Sequence, residues 1–128
     1  MPAEGNGQMT HVLVVDDAAD IRLLARLLLE RGGYRVTEAP TAEDALEMLR
    51  EEQPEVILLD LQLPGMDGWT LLSDLRDRGA LEKIRVVLFS AHVNPTEFRR
   101  ATSEGASGYL IKPFTAEALL ESVRLATA

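Results

Sequence analysis

The 128-residue sequence contains no cysteine, so its core holds by packing without disulfides, which suits a reducing compartment. No apolar run approaches the ~20 residues needed to cross a bilayer. Met1 to Thr10 has neither the basic nor the apolar stretch of a secretory signal. These absences lead to the expectation of a cytoplasmic protein with no membrane contact. Cations are also short: 13 Lys and Arg face 21 Asp and Glu, a formal net charge of −8. Phosphate backbones are gripped by clustered Lys and Arg, so direct nucleic-acid binding is not expected. Internal repeats and low-complexity linkers are absent as well.

What is present suffices for one packed domain. The apolar fraction is 46%, and a chain of this length buries most of the surface its unfolded form exposes. Residues 1–10 read as a flexible tail and residues 11–128 as the domain. Ile21, Leu24, Ala25 and Leu28 recur at helical spacing until Gly32-Gly33. Tyr34 to Ala39 alternates as an edge strand would. Thr41 and Asp44 begin a second helix with Ala42, Ala45, Leu46 and Leu49 on its inner face and Pro54 closing it. Gly68, Leu71, Leu72 and Leu75 mark a third. Asn94-Pro95-Thr96-Glu97 opens a fourth that turns Phe98 and Ala101 inward. A fifth starts near Thr115 and buries Ala116, Leu119, Leu120 and Val123. Strand and helix alternate five times, which predicts an α/β fold with helices on both faces of a parallel sheet.

Four apolar runs carry the functional signal. Val12-Leu-Val-Val15 ends on Asp16 and Asp17, Val56-Ile-Leu-Leu59 on Asp60, Val86-Val-Leu-Phe89 on Ser90, and Tyr109-Leu-Ile111 on Lys112. In an open parallel sheet the ligand crevice lies outside the carboxyl ends of the strands, so these groups converge. Three carboxylates in one place repel, by about 4 kcal/mol for a pair ~4 Å apart at an effective dielectric of 20. A divalent cation relieves that, and oxygen-only ligands suit Mg²⁺ or Mn²⁺ rather than zinc. The plainer role for Asp16 and Asp17 is to cap the first helix. For Lys112-Pro113 it is a turn with a solvated lysine, for Ser90 a loop hydroxyl, and for Tyr109 an edge-strand aromatic. The bond before Pro113 is a candidate for the cis form. His11 lies about 16 Å from Asp16 along its strand at ~3.3 Å per residue. The two histidines therefore do not share a metal, and His92 reads as a loop histidine.

Val14-Val-Asp-Asp17, Leu58-Leu-Asp-Leu-Gln-Leu-Pro-Gly-Met-Asp-Gly68, Ser90-Ala91 and Gly105 through Tyr109-Leu-Ile-Lys-Pro-Phe114 stand in a distinctive order. Together they resemble the receiver domain of bacterial two-component response regulators, from His11 to Leu125. The resemblance implies a flavodoxin-like five-stranded sheet of order 2-1-3-4-5. It implies Asp60 as phosphoacceptor, served by a sensor histidine kinase or a histidine phosphotransfer protein. Asp17, Asp60 and the backbone carbonyl of Gln62 would bind Mg²⁺, with Asp16 acting directly or through water. Lys112 would neutralise the phosphoryl group, and Ser90 would hydrogen-bond it. Tyr109 would then turn inward, altering the face of the fourth helix, fifth strand and fifth helix for a downstream protein.

By the same resemblance the chain is a phosphoacceptor with self-phosphotransfer and slow autodephosphorylation rather than an enzyme. Ser107-Gly108 stands where many DNA-binding regulators carry an acidic pair, which weakens the case for their salt-bridged dimer on activation; the acidic chain is expected to be a monomer when unphosphorylated. A stand-alone regulator is the expectation, with a receiver cut from a longer regulator as the alternative. A hydrolase of the haloacid dehalogenase type would need a second acid where Gln62 stands. A flavodoxin would need a Ser/Thr-rich phosphate loop where Asp16-Asp17-Ala-Ala19 stands.

Overall fold

Continuous apolar strands need cover on both faces, and each side of this sheet has its own core. The computed structural model describes residues 9–91 and 94–128. The expectations for the tail up to Gln8 and for His92 fall outside them. Strands β1 (His11–Val15), β2 (Arg35–Ala39), β3 (Val56–Asp60), β4 (Arg85–Ser90) and β5 (Gly108–Ile111) pair in parallel in the order β2-β1-β3-β4-β5. This is the expected flavodoxin-like sheet. Successive side chains alternate between its faces. Leu13, Val15, Ile57, Leu59, Val86 and Leu88 pack toward α2 (Ala42–Leu49), α3 (Gly68–Asp77) and α4 (Pro95–Ser103). Val12, Val14, Val56, Leu58, Val87 and Phe89 pack toward α1 (Ala19–Arg31) and α5 (Ala116–Ala126).

Short polar side chains start most of the helices. Thr41, Asp67, Asn94 and Thr115 each accept a backbone N–H three residues on, at 2.8–3.0 Å. The start of α1 differs: its N-cap is Ala18, whose side chain offers no acceptor, and the Asp16 carboxylate takes the Ala18 N–H at 2.8 Å.

The buried face of α1 is centred on Ala25 and Leu29, and Leu24, rotated by about 100° from Ala25, is 44% exposed. Two local expectations are corrected. Phe98 is 54% exposed, because α4 reaches the core through Ala101 and the Phe98 ring stays at the rim beside Tyr109, with centroids 6.2 Å apart. Pro54 does not close α2: the helix stops at Leu49, where the Glu51 and Glu52 N–H groups both turn back to the Met48 carbonyl. A 3₁₀ turn at Ala80–Glu82, entered through left-handed Gly79, has no counterpart in the sequence reading. Among the described residues no helix is long and apolar enough to cross a membrane.

Candidate functional site

The sheet reverses its strand order between β1 and β3, the usual place for a ligand crevice. Val15 pairs with Leu59, so Asp16 and Asp60 come next on neighbouring strands. One carboxylate oxygen from each of Asp16, Asp17 and Asp60 lies within 4.8 Å of the others. Asp16 is fully buried, Asp60 is 5% exposed and Asp17 is exposed to solvent. From the far side Lys112 extends the ladder, its N–H bonded to the Ser90 carbonyl at 2.9 Å. Its Nζ reaches Asp16 Oδ2 at 2.7 Å and Asp60 Oδ2 at 3.2 Å. The ammonium also lies 4.6 Å from the centre of the Phe89 ring. The Lys112–Pro113 peptide bond is cis.

Charge and burial pull against each other here. Burial raises the Asp60 carboxyl above the ordinary carboxylate range; the Gln62 N–H opposes this, the Asp16 charge adds to it and Lys112 opposes it again. Burial alone would lower the Lys112 ammonium, but Asp16 and Asp60 together outweigh it and hold its pKa above the usual lysine value. The donors fit a hard divalent cation, since they are three carboxylates without a soft ligand among them.

The loop after β3 is drawn onto the triad. The Gln62 N–H donates to Asp60 Oδ1 at 3.0 Å, and the Gly68 N–H to the Leu61 carbonyl at 3.1 Å. A Cβ on Gly68 would stand 2.4 Å from the Asp60 carbonyl oxygen, so only glycine lets α3 begin this close to the acceptor strand. Ser90 ends β4 with 2% of its surface exposed. Its side chain hydrogen-bonds the Tyr109 hydroxyl, whose pKa is raised by burial and by Glu97 against that bond.

Among the described residues Asp16, Asp17, Asp60, Gln62, Ser90 and Lys112 lie at one edge, with Tyr109 on β5 leading to Lys112 and His11 at the opposite end of β1. Arg22 was not singled out. Its Nη1 donates to the Asp16 carbonyl at 2.7 Å, and its Nε to Glu38 Oε1 at 3.1 Å. Spacing shows Arg22, Arg26 and Glu30 on one helical stripe, but not that Arg22 turns back to the end of β1.

Comparison with known proteins gives a concordant result. Residues 12–124 match the family described as the response regulator receiver domain. The transcriptional regulatory protein CseB of Streptomyces coelicolor is 36% identical over 115 residues, 90% of this chain and 48% of CseB. The chain thus spans about half the length of that relative. The chemotaxis protein CheY of Bacillus subtilis is 32% identical over 117 residues, covering 90% of this chain and 96% of CheY. Among solved structures, the chemotaxis response regulator CheY4 of Vibrio cholerae superimposes with a TM-score of 0.86 at 28% identity, over 93% of this chain and 99% of CheY4.

Proposed function

Because the chain belongs to the response regulator receiver domain family, we propose that it is a phosphorylation-dependent switch in which Asp60 is the phosphoacceptor. The observation that carries this reading is Lys112 Nζ held between Asp16 and Asp60 at the edge where Asp17 also arrives. A carboxylate oxygen of Asp60 attacks the phosphorus of a phosphohistidine on a sensor kinase or histidine phosphotransfer protein. The new O–P bond forms as the N–P bond breaks, and the electron pair returns to the imidazole nitrogen of the donor, which takes up a proton. Asp16, Asp17, Asp60 and the Gln62 carbonyl would hold Mg²⁺, or Mn²⁺ in its place, which would supply positive charge to the phosphoryl oxygens. Lys112 adds its ammonium to the same oxygens, and Ser90 offers its hydroxyl. Phosphoryl transfer depends chiefly on such positioning and charge stabilisation.

The output follows from Ser90. When its hydroxyl turns to the phosphoryl group, its bond to Tyr109 is redistributed, and the α4-β5-α5 face changes for a downstream protein. Phe98 and Tyr109 line that face, their ring centroids 6.2 Å apart. An acidic, cytoplasmic, monomeric switch that binds protein rather than DNA is the form we assign. Acting alone has a counterpart in CheY of Bacillus subtilis, and acting within a longer regulator has one in CseB.

Intact-mass measurement after incubation with a small phosphoramidate and Mg²⁺ tests the proposal. One added phosphoryl group is expected, absent in Asp60→Asn and suppressed by EDTA. Equal labelling of Asp60→Asn overturns the assignment.

A further inference from the structure

The end of β1 presents a problem that the acidic triad does not solve. Asp16 is fully buried, and its carbonyl lies beyond the last ladder pair of β1 with β3. A buried carbonyl left unpaired is costly, and at this point it would also leave the turn into Asp17 loose. Arg22 meets it from the first turns of α1. Nη1 holds the Asp16 carbonyl at 2.7 Å while Nε of the same guanidinium holds Glu38 Oε1 on β2 at 3.1 Å. The Arg22 side chain is only 16% exposed and that of Glu38 23%. Arg26 occupies the other Glu38 oxygen at 3.0 Å, so the carboxylate stays turned toward α1.

We infer that Arg22 is a positioning residue for the acidic site: it locks the β1–α1 turn so that Asp16 and Asp17 face Asp60 with their carboxylates preset for a divalent cation. The fork geometry matters, because one planar guanidinium makes both bonds at fixed angles and a lysine ammonium does not. Glu38 has a second task. An uncompensated guanidinium beside three carboxylates would compete with a divalent cation for their field, and pairing with Glu38 cancels most of that charge. Arg22 thereby gives the turn rigidity without weakening the attraction for a cation. The carboxylates themselves are held apart from this bond: Asp16 Oδ1 takes the Ala18 N–H and Oδ2 takes Lys112.

The inference rests on the metal site proposed above, and Mn²⁺ binding followed by the loss of its free-ion EPR signal separates the two. The full chain is titrated beside Asp17→Asn, Arg22→Ala, Arg22→Lys, Glu38→Gln and Arg26→Ala, with metal-free thermal unfolding recorded for each. Arg22→Ala is expected to weaken Mn²⁺ binding about ten-fold, the lower end of what removal of an outer partner of a metal ligand costs. Arg22→Lys falls between it and the parent. Glu38→Gln weakens binding by leaving the guanidinium charge exposed. Arg26→Ala costs distinctly less than Arg22→Ala, since both Arg22 bonds survive it and only the second hold on Glu38 is lost. Parent affinity or tighter binding in Arg22→Ala overturns the inference, as does an equal loss in Arg26→Ala. If the parent binds no better than Asp17→Asn, the metal site itself fails and the inference goes with it.

Discussion

Lys112 Nζ lies 2.7 Å from Asp16 Oδ2 although 96 residues separate them. The carboxylate is wholly buried and the lysine side chain 17% exposed, so each is the other's main compensation for lost water. The same ammonium touches Asp60 at 3.2 Å. In the reaction proposed above, a phosphoryl group arriving on Asp60 would meet a cation that is already in place.

Replacing that cation has two separable effects. Lys112→Ala should lower metal-free stability by about 3 kcal/mol, because it strands a buried carboxylate. It should also slow phosphoramidate labelling on the order of 100-fold, the usual cost of one donor aimed at developing charge. Urea unfolding reads the first and intact mass the second. Unchanged stability would show that Asp16 does not depend on the pair.

Ser90→Ala separates labelling from switching. The variant should still label at Asp60, while beryllofluoride, which stands in for the phosphoryl group, should no longer shift the amide NMR signals around Tyr109. Parent-like shifts there would break the proposed link through the Ser90 hydroxyl.

The far end of β1 supplies a pH effect. His11 is 5% exposed; Nε2 is hydrogen-bonded with Thr37 Oγ1 at 2.8 Å, and Nδ1 faces Glu52 at 3.8 Å without a hydrogen bond. Burial and Arg35 hold its pKa below the usual imidazole value, against the pull of Glu52 and Glu55. A histidine with a depressed folded pKa binds fewer protons than it does in the unfolded chain. Its contribution is therefore complete above about pH 6.5 and is lost as pH falls through the folded value. Thermal unfolding between pH 7.5 and 5 should show the parent losing stability relative to His11→Gln toward acid. Parallel curves would contradict the assignment.

Gly68→Ala should destabilise the fold by about 2 kcal/mol despite the better helix propensity of alanine, because its Cβ would press on backbone at Asp60 and Leu61. It should also slow labelling, since the displaced atoms carry the acceptor. A variant at least as stable as the parent would mean that α3 starts farther from β3 than the structure places it.

How much of this was legible beforehand depends on the range of each interaction. Covalent order alone brings a catalytic-type residue to the end of each apolar run, and parallel pairing then collects Asp16, Asp17, Asp60, Ser90 and Lys112 at one edge. Capping is similarly local, so Thr41, Asn94 and Thr115 announced their helices within three residues. The tertiary structure alone decided which face of leucine-rich α1 is buried, because Leu23, Leu24, Leu27, Leu28 and Leu29 make every direction outside the Arg22, Arg26 and Glu30 stripe apolar and only contact with the sheet selects Ala25 and Leu29. It also decided the partners of long flexible side chains. Arg22 could have pointed to water, and only the closure of β1 against β2 brings the Asp16 carbonyl and Glu38 within reach of one guanidinium. Residue order thus determined which groups reach the site, while packing determined how they are held.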